Sequence, residues 1–368
     1  MISARFYQDM DYQAEQTQKR KRDHLEPFRR GDVSARQGTT WLECVSLIHS
    51  ALPQLSVDDI SVETEYAGHK FNAPLFITGM TGGTSEALEI NRALARIAER
   101  MGIGFGLGSG RAMLENPDLT STYQVRSQAP NIFLAWNLGG VQLKSTPLSK
   151  IKAALDEIEA NSLCIHLNPA QEMMQLEGDR DFRGVLEAIE ELVKFLNCPV
   201  IIKETGAGIS RAVGQELKRV GVKYVDVAGQ GGTSWVGVEL QRQGREDDPE
   251  LSAFWDWGIP TAASLCNLSD SGMELIASGG IRFGLDAARA VALGAKLVGV
   301  AAPVISAFFK DGERGSERVL CGILNGLKTT MLLTGCKSLE ELRDSPKVIS
   351  GPLLDWINAT NSKPQDES

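Results

Sequence analysis

The sequence predicts an α/β fold, a single (β/α)₈ TIM barrel with an N-terminal arm and a C-terminal extension. Three observations predict it. Eight short apolar runs recur between Pro74 and Pro303, and segments with helical spacing separate them. The repeats fill residues 74–334, close to the roughly 250 residues such a barrel needs.

The runs are PLFITGM (74–80), GIGFGLGS (102–109), IFLAWNLG (132–139), SLCIHLN (162–168), PVIIKET (199–205), YVDVAG (224–229), ELIASGG (274–280) and LVGVAAP (297–303). Runs this short and this uniformly apolar suit parallel strands covered on both faces. After the first, Ala87, Ile90, Leu94, Ile97, Ala98 and Met101 fall on one helical face. In a later helix Lys152, Asp156 and Glu159 take exposed positions. An open doubly wound sheet is the rival, but it rarely needs eight such even units, and no GxGxxG follows the first run.

Around the barrel, residues 1–18 read as a mobile polar tail and 19–73 as an arm and a cover for the barrel's bottom or edge. Residues 335–368 read as a C-terminal extension, disordered after Asp355 in WINATNSKPQDES. The insertion QRQGREDDPELSAFWDWGIP (241–260) reads either as a lid at the strand C-termini or as a plain surface excursion.

Bulk properties exclude some functions. The formal charge of −9 argues against generic nucleic-acid binding, although Lys19, Arg20, Lys21 and Arg22 form one basic run. The six cysteines are scattered without a CxxC pair, which suits a reducing compartment. The N-terminus has no signal-like apolar core, and no stretch approaches the roughly 20 apolar residues of a membrane helix. The expectation is a cytoplasmic protein that binds neither nucleic acid nor membrane.

In a barrel the chemistry belongs at the strand C-termini. Those ends supply Thr78-Gly79-Met80-Thr81, Ser109-Gly110-Arg111, Asn137, then His166, Asn168, Gln171 and Glu172 in IHLNPAQE, and Lys203-Glu204. GQGGTS follows the sixth run, SGGIR the seventh, and Ala301-Ala302 ends the eighth. Two glycine-rich turns on adjacent strands leave bare backbone for a phosphate; either alone is an ordinary tight turn. Lys203 reads as a cation beside an electron-rich ring such as a flavin, or as a mouth salt bridge with Glu204. Thr78 to Thr81 and Asn137 would then hydrogen-bond the ring and ribityl chain. Arg20, Lys21 and His24 would fold over as cations for a diphosphate, or remain a solvated arm.

These motifs together resemble a family. RKRDHLE, ITGMTGGT, GSGRAMLE, HLNPAQE, GDRDFRG, VIIKETGAGIS, GQGGTSW, GIPTAASL and ASGGIRFGLDAARAVALGA are similar to type 2 isopentenyl diphosphate isomerase, an FMN-dependent (β/α)₈ enzyme. The resemblance runs from about Arg20 to about Leu342. It implies isopentenyl diphosphate delta-isomerase activity in isoprenoid biosynthesis, interconverting isopentenyl and dimethylallyl diphosphate. Arg20, Lys21 and His24 match the family's diphosphate arm, with Ser109, Gly110 and Arg111 opposite. Thr78, Gly79, Met80, Thr81, Ser109, Asn137, Lys203 and Thr233 match its flavin contacts. Gly280, Ile281, Arg282, Ala301 and Ala302 match its FMN-phosphate site.

Gln171 matches the amide near the reacting carbons, with His166 and Asn168 lining the same pocket. Glu172 matches the carboxylate that holds Mg²⁺ on the diphosphate. The resemblance further implies reduced FMN as acid and base, Lys203 favouring its anionic reduced form, NAD(P)H only as the flavin reductant, and tetramers or octamers. The sequence departs from the family at Gly110, where relatives commonly carry a larger polar residue, and at Ala228, where some carry a hydroxyl. The alternative is a net FMN oxidoreductase of the glycolate-oxidase type, which would use a mouth histidine, here His166.

Overall fold

A computed structural model describes residues 25–30 and 33–361. Arg20, Lys21 and His24, with the expected tail 1–18, lie outside the described residues. The eight runs form a closed parallel barrel of β1 (Leu75–Ile77), β2 (Gly104–Ser109), β3 (Leu134–Gly139), β4 (Ser162–His166), β5 (Val200–Lys203), β6 (Tyr224–Asp226), β7 (Glu274–Ala277) and β8 (Leu297–Val300). β8 closes onto β1, with Val298 opposite Leu75 and Val300 opposite Ile77.

Side chains alternate across the barrel wall because the strand period is two. Phe76, Ala135, Cys164, Ile201, Ile276 and Leu297 form one buried interior cluster. Their neighbours Ile77, Trp136, Ile165, Ile202, Ala277 and Val298 join the layer between strands and helices. Each strand therefore buries both faces, which is why the runs carry no polar alternation. Outside the wall, the helix Ser85–Met101 starts with Thr84 accepting the Ala87 N–H at 3.1 Å and ends at Gly102, whose φ of 62° suits glycine.

Of the expected cover, 19–73, the described residues are divided between the two ends of the barrel. The hairpin Thr64–Tyr66/His69–Phe71 plugs the N-terminal end, where the Tyr66 and Phe71 rings pack on Phe133 at 6.3 and 5.7 Å. Residues 33–40 instead cross the C-terminal end, where Ser34 bridges to Thr233. In the C-terminal extension, strand Lys347–Ile349 pairs with Val45–Leu47, and a helix follows over Gly351–Asn361. The expectation of disorder after Asp355 does not hold for this helix. Leu353 is fully buried, and the Trp356 indole N–H donates to Asn267 Oδ1 at 3.1 Å beside Trp41. One apolar stripe anchors a segment whose overall composition is polar.

Candidate functional site

A cavity of about 470 Å³ opens at the C-terminal ends of the strands. Its floor follows from the alternation that packs the barrel. Two residues beyond Phe76, Ala135, Ile201, Tyr224 and Ile276 come Thr78, Asn137, Lys203, Asp226 and Ser278, all five buried. Period two thus turns an apolar layer into a polar one at the mouth.

Lys203 is buried in that layer and donates from Nζ to the Glu204 carbonyl. The mouth salt bridge with Glu204 is not what forms. The Glu204 carboxylate turns into its own loop and accepts the N–H groups of Thr205, Gly206 and Ala207. Burial pushes this carboxyl up, opposed by those three donors and by Lys203. Opposite Lys203 in the β5–β6 register stands Asp226, whose Oδ1 accepts the Ser278 hydroxyl at 2.6 Å and the Ala228 N–H at 3.2 Å. Burial raises its carboxyl too, and the Lys203 charge is the leading opposing influence. Below them, burial pushes the Cys164 thiol up to about 12, which suits a packing role.

Glycines shape the walls. A Cβ on Gly79 would lie 2.2 Å from the Leu107 carbonyl oxygen and 2.7 Å from Asn137 Nδ2. The loops after β6 and β7 lie backbone against backbone: a Cβ on Gly232 would meet the Gly280 nitrogen at 2.3 Å, and one on Gly279 the Gly229 oxygen at 2.1 Å. Gly279 and Gly280 also have φ of 96° and 76°. Arg282 donates to the Gly231 carbonyl at 3.2 Å and lines the cavity with Gly280, Ile281, Ala301, Ala302 and Thr233. This bare-backbone cradle, with buried Lys203 and Asn137 at its floor, fits a flat ring carrying a phosphate tail.

On the other side, the helix Pro169–Met174 carries the residues that end IHLNPAQE. Asn168 Nδ2 donates to Gln171 Oε1 and to Glu172 Oε1, each at 3.1 Å. Gln171 Nε2 in turn donates at 3.1 Å to Oε1 of Glu239, a fully buried carboxylate on the helix Trp235–Gln243. Glu239 pairs with Arg242 at 2.8 Å, and Arg242 with Glu177 at 2.8 Å. The second oxygen of Glu172 accepts the Asp179 N–H at 2.8 Å, while Arg180 ties the same loop to the Glu172 and Gln175 carbonyls. Gly178 allows that fold-back, because a Cβ there would sit 2.0 Å from the Glu172 oxygen.

Among the described residues no cluster of three or more His, Cys, Asp or Glu side chains is arranged to hold a metal. Glu172 is the one carboxylate among the described residues lining the cavity, and one or two carboxylates are the usual protein share in holding Mg²⁺.

The cavity gathers Thr78, Gly79, Met80, Thr81, Ser109, Arg111, Asn137, His166, Asn168, Gln171, Glu172 and Lys203 with the cradle residues. Gly110 stays behind the wall: a Cβ there would lie 2.1 Å from the Trp136 indole. Ala228 does line the cavity, with φ of 37°. Sequence reasoning missed Asp226 and Glu239, and placed Ser278 at the mouth within SGGIR without giving it a role. It also missed Leu25, Phe28 and Trp235, which give the cavity an apolar wall.

Comparison with known proteins follows the same lines. The family model for FMN-dependent dehydrogenases matches residues 143–349, over half of the chain. The isopentenyl-diphosphate delta-isomerase of Pyrococcus furiosus is 42% identical over 348 residues, covering 92% of this chain and 88% of that one. That of Ignicoccus hospitalis is 43% identical over 349 residues, with 93% and 96% covered. Among solved structures, mandelate oxidase with (S)-2-phenylpropionate superposes with a TM-score of 0.62 at 19% identity, over 89% of this chain and 94% of that one. At that identity the likeness speaks to the fold alone.

Proposed function

The chain belongs to the isopentenyl-diphosphate delta-isomerase family, within the FMN-dependent dehydrogenases, and on that premise we propose how its barrel mouth performs the reaction. The enzyme is an intramolecular isomerase: isopentenyl diphosphate gains a proton at C4 and loses one from C2 to give dimethylallyl diphosphate. The observation that carries the assignment of roles is the placement of Gln171 between Asn168 and Glu239, beside Glu172 and facing a cavity with Lys203 and Asn137 at its floor.

FMN, when bound and reduced, supplies an acid/base group and an electron-rich face for cationic character at C3. Thr78, Gly79, Met80, Thr81, Ser109, Asn137 and Thr233 would hold its ring and ribityl chain. Gly280, Ile281, Arg282, Ala301 and Ala302 would hold its phosphate. Lys203, buried at the floor, favours negative charge in its neighbourhood.

Gln171 is uncharged, so it borders the reacting carbons without quenching a cation, and its two hydrogen bonds fix which end of the amide faces which partner. Glu172 would hold Mg²⁺ on the diphosphate. Arg111 lines the same cavity and feels the Glu172 charge, and Arg20, Lys21 and His24 would complete the cationic site. Leu25, Phe28 and Trp235 exclude water on the hydrocarbon side. NAD(P)H serves only to reduce the flavin, since isomerisation has no net redox change. A cytoplasmic homo-tetramer or homo-octamer completes the reading.

The test is to incubate the anaerobic, NADPH-reduced holoenzyme with isopentenyl diphosphate and Mg²⁺ in D₂O and follow it by NMR. Dimethylallyl product carrying deuterium supports the reading. NADPH consumed in proportion to product would favour the second reading, a net oxidoreductase, which His166 in the cavity would serve.

A further inference from the structure

Asp256 has no part in the chemistry above, yet its carboxylate is heavily used. It lies in the insertion 241–260 and accepts three consecutive backbone N–H groups: Arg36 on Oδ1 at 2.9 Å, and Gln37 and Gly38 on Oδ2 at 2.7 and 3.2 Å. Consecutive N–H groups turned to one side make a small anion-binding concavity. Here a side chain of the same molecule fills it. Beside it, the Trp255 indole N–H donates to the Ser34 carbonyl at 3.1 Å, and the Arg36 guanidinium stacks 3.6 Å from the Trp255 ring. Trp255 is buried against Val236 and Leu240, so the grip comes from a packed base.

The far edge of the same segment is laced to the glycine loop after β6. The Ser234 N–H donates to the Val33 carbonyl and the Ala35 N–H to the Gly232 carbonyl, both at 2.8 Å. Residues 33–38 thus form a strap between the insertion and the cradle, and Ser34 on it lines the cavity. Toward the N-terminus the chain leads to Phe28 and Leu25, also in the cavity wall, and then to His24, Lys21 and Arg20. An extended strap has no internal hydrogen bonds to offset its ordering entropy, so it needs anchors on both edges.

We propose that the insertion is a clasp: Asp256 is a positioning residue that pins the strap, and with it the place of Ser34, Phe28 and Leu25 in the cavity wall, and so sets affinity for the diphosphate substrate. The inference rests on reading the mouth as a diphosphate site. It also gives 241–260 a role, binding the strap from the side rather than closing as a free lid.

The test compares full-length, FMN-loaded wild-type enzyme with Asp256→Ala and Asp256→Asn, in steady-state isomerisation and in limited trypsinolysis. The Arg36–Gln37 bond is the one to watch, because both its flanking N–H groups are held by Asp256. Asp256→Ala is expected to speed cleavage there and to raise KM for isopentenyl diphosphate, each about tenfold, the factor that 1.4 kcal/mol makes. In that variant kcat should stay within about twofold, since a lost uniform-binding contact spares the chemical step, and the flavin absorption should persist. Asp256→Asn, which keeps one oxygen acceptor, should fall between.

Cleavage at the wild-type rate would show that Asp256 does not pin the strap and would overturn the proposal. Faster cleavage with unchanged KM would overturn it as well, by separating the strap from substrate affinity. A fall in kcat with KM unmoved would mark a merely structural role. A wild-type enzyme that fails to isomerise would strike the functional reading instead, and the cleavage comparison would still decide whether the clasp exists.

Discussion

Gln171→Leu is the sharpest perturbation of the site, because leucine fills a similar volume while removing both amide hydrogen bonds. Asn168 Nδ2 would keep its second acceptor, Glu172 Oε1 at 3.1 Å. Glu239 would lose its amide donor but keep Arg242 at 2.8 Å. A hydrogen bond to a charged group is worth about 1.5–3 kcal/mol. With Arg242 still in place the stability loss should sit near the lower end, about 1.5 kcal/mol, a drop of a few degrees in Tm. Turnover should suffer more. Misplacing a group by about 1 Å costs about 10²-fold, and removing a proton relay costs about 10²–10⁴-fold, so kcat should fall at least about a hundredfold with FMN content unchanged.

Glu239→Gln supplies the control: it keeps shape and removes the charge that orients the Gln171 amide, and should lower kcat about tenfold through Gln171 alone. The double variant should then be no worse than Gln171→Leu. The assays are stopped-time isomerisation, flavin absorbance and thermal melts. Wild-type kcat in Gln171→Leu, or losses that multiply in the double variant, would refute the reasoning.

Three further outcomes are expected. Glu172→Gln should raise the Mg²⁺ concentration for half-maximal rate at least about tenfold if, as proposed, the carboxylate holds the ion on the diphosphate; an unchanged titration curve would count against that role. Gly79→Ala should cost most FMN affinity, because the new Cβ would meet the Leu107 oxygen at 2.2 Å and push Asn137 aside, and a fluorescence titration of the apoprotein reads this directly. Removing residues 1–24 should raise KM for the diphosphate while leaving the flavin spectrum intact; an unaffected KM would favour a solvated arm.

The barrel was legible because each strand buries both faces and so writes an unbroken apolar run, bounded by the polar residues of the mouth. The glycine pairs of GQGG and SGG were legible for a related reason: backbone packed on backbone leaves no room for a Cβ. Asp226 was harder. In YVDVAG it looks like one polar interruption of a strand, and only counting by two from Tyr224 places it inside the barrel beside Lys203. Glu239 was not legible at all. With Arg242 three residues on, it reads as an ordinary exposed helix pair, and the partner that gives it meaning, Gln171, is 68 residues away. The helix 351–361 was hidden by polar composition around Leu353 and Trp356. The strap was hidden because its bonds use main-chain N–H groups, which every residue but proline carries.

One physical pattern unites the mouth. Protonating an unactivated alkene asks for a strong acid, and the carboxyls near the cavity are committed as acceptors. Asp226 takes the Ser278 hydroxyl and the Ala228 N–H, and Glu204 takes three loop N–H groups. Glu172 takes Asn168 and the Asp179 N–H, and Glu239 takes Gln171 and Arg242. Each of these carboxyls is fixed in place by its donors, so in this geometry they orient amides and loops. Burial pushes the Asp226 and Glu204 carboxyls up, and their bonded oxygens are turned to Ser278 and the Ala228 N–H and to a backbone loop. The amides they hold, Asn168 and Gln171, are too weakly acidic to serve. A mouth built this way fixes geometry, and the flavin that its glycine cradle would hold would supply the acid.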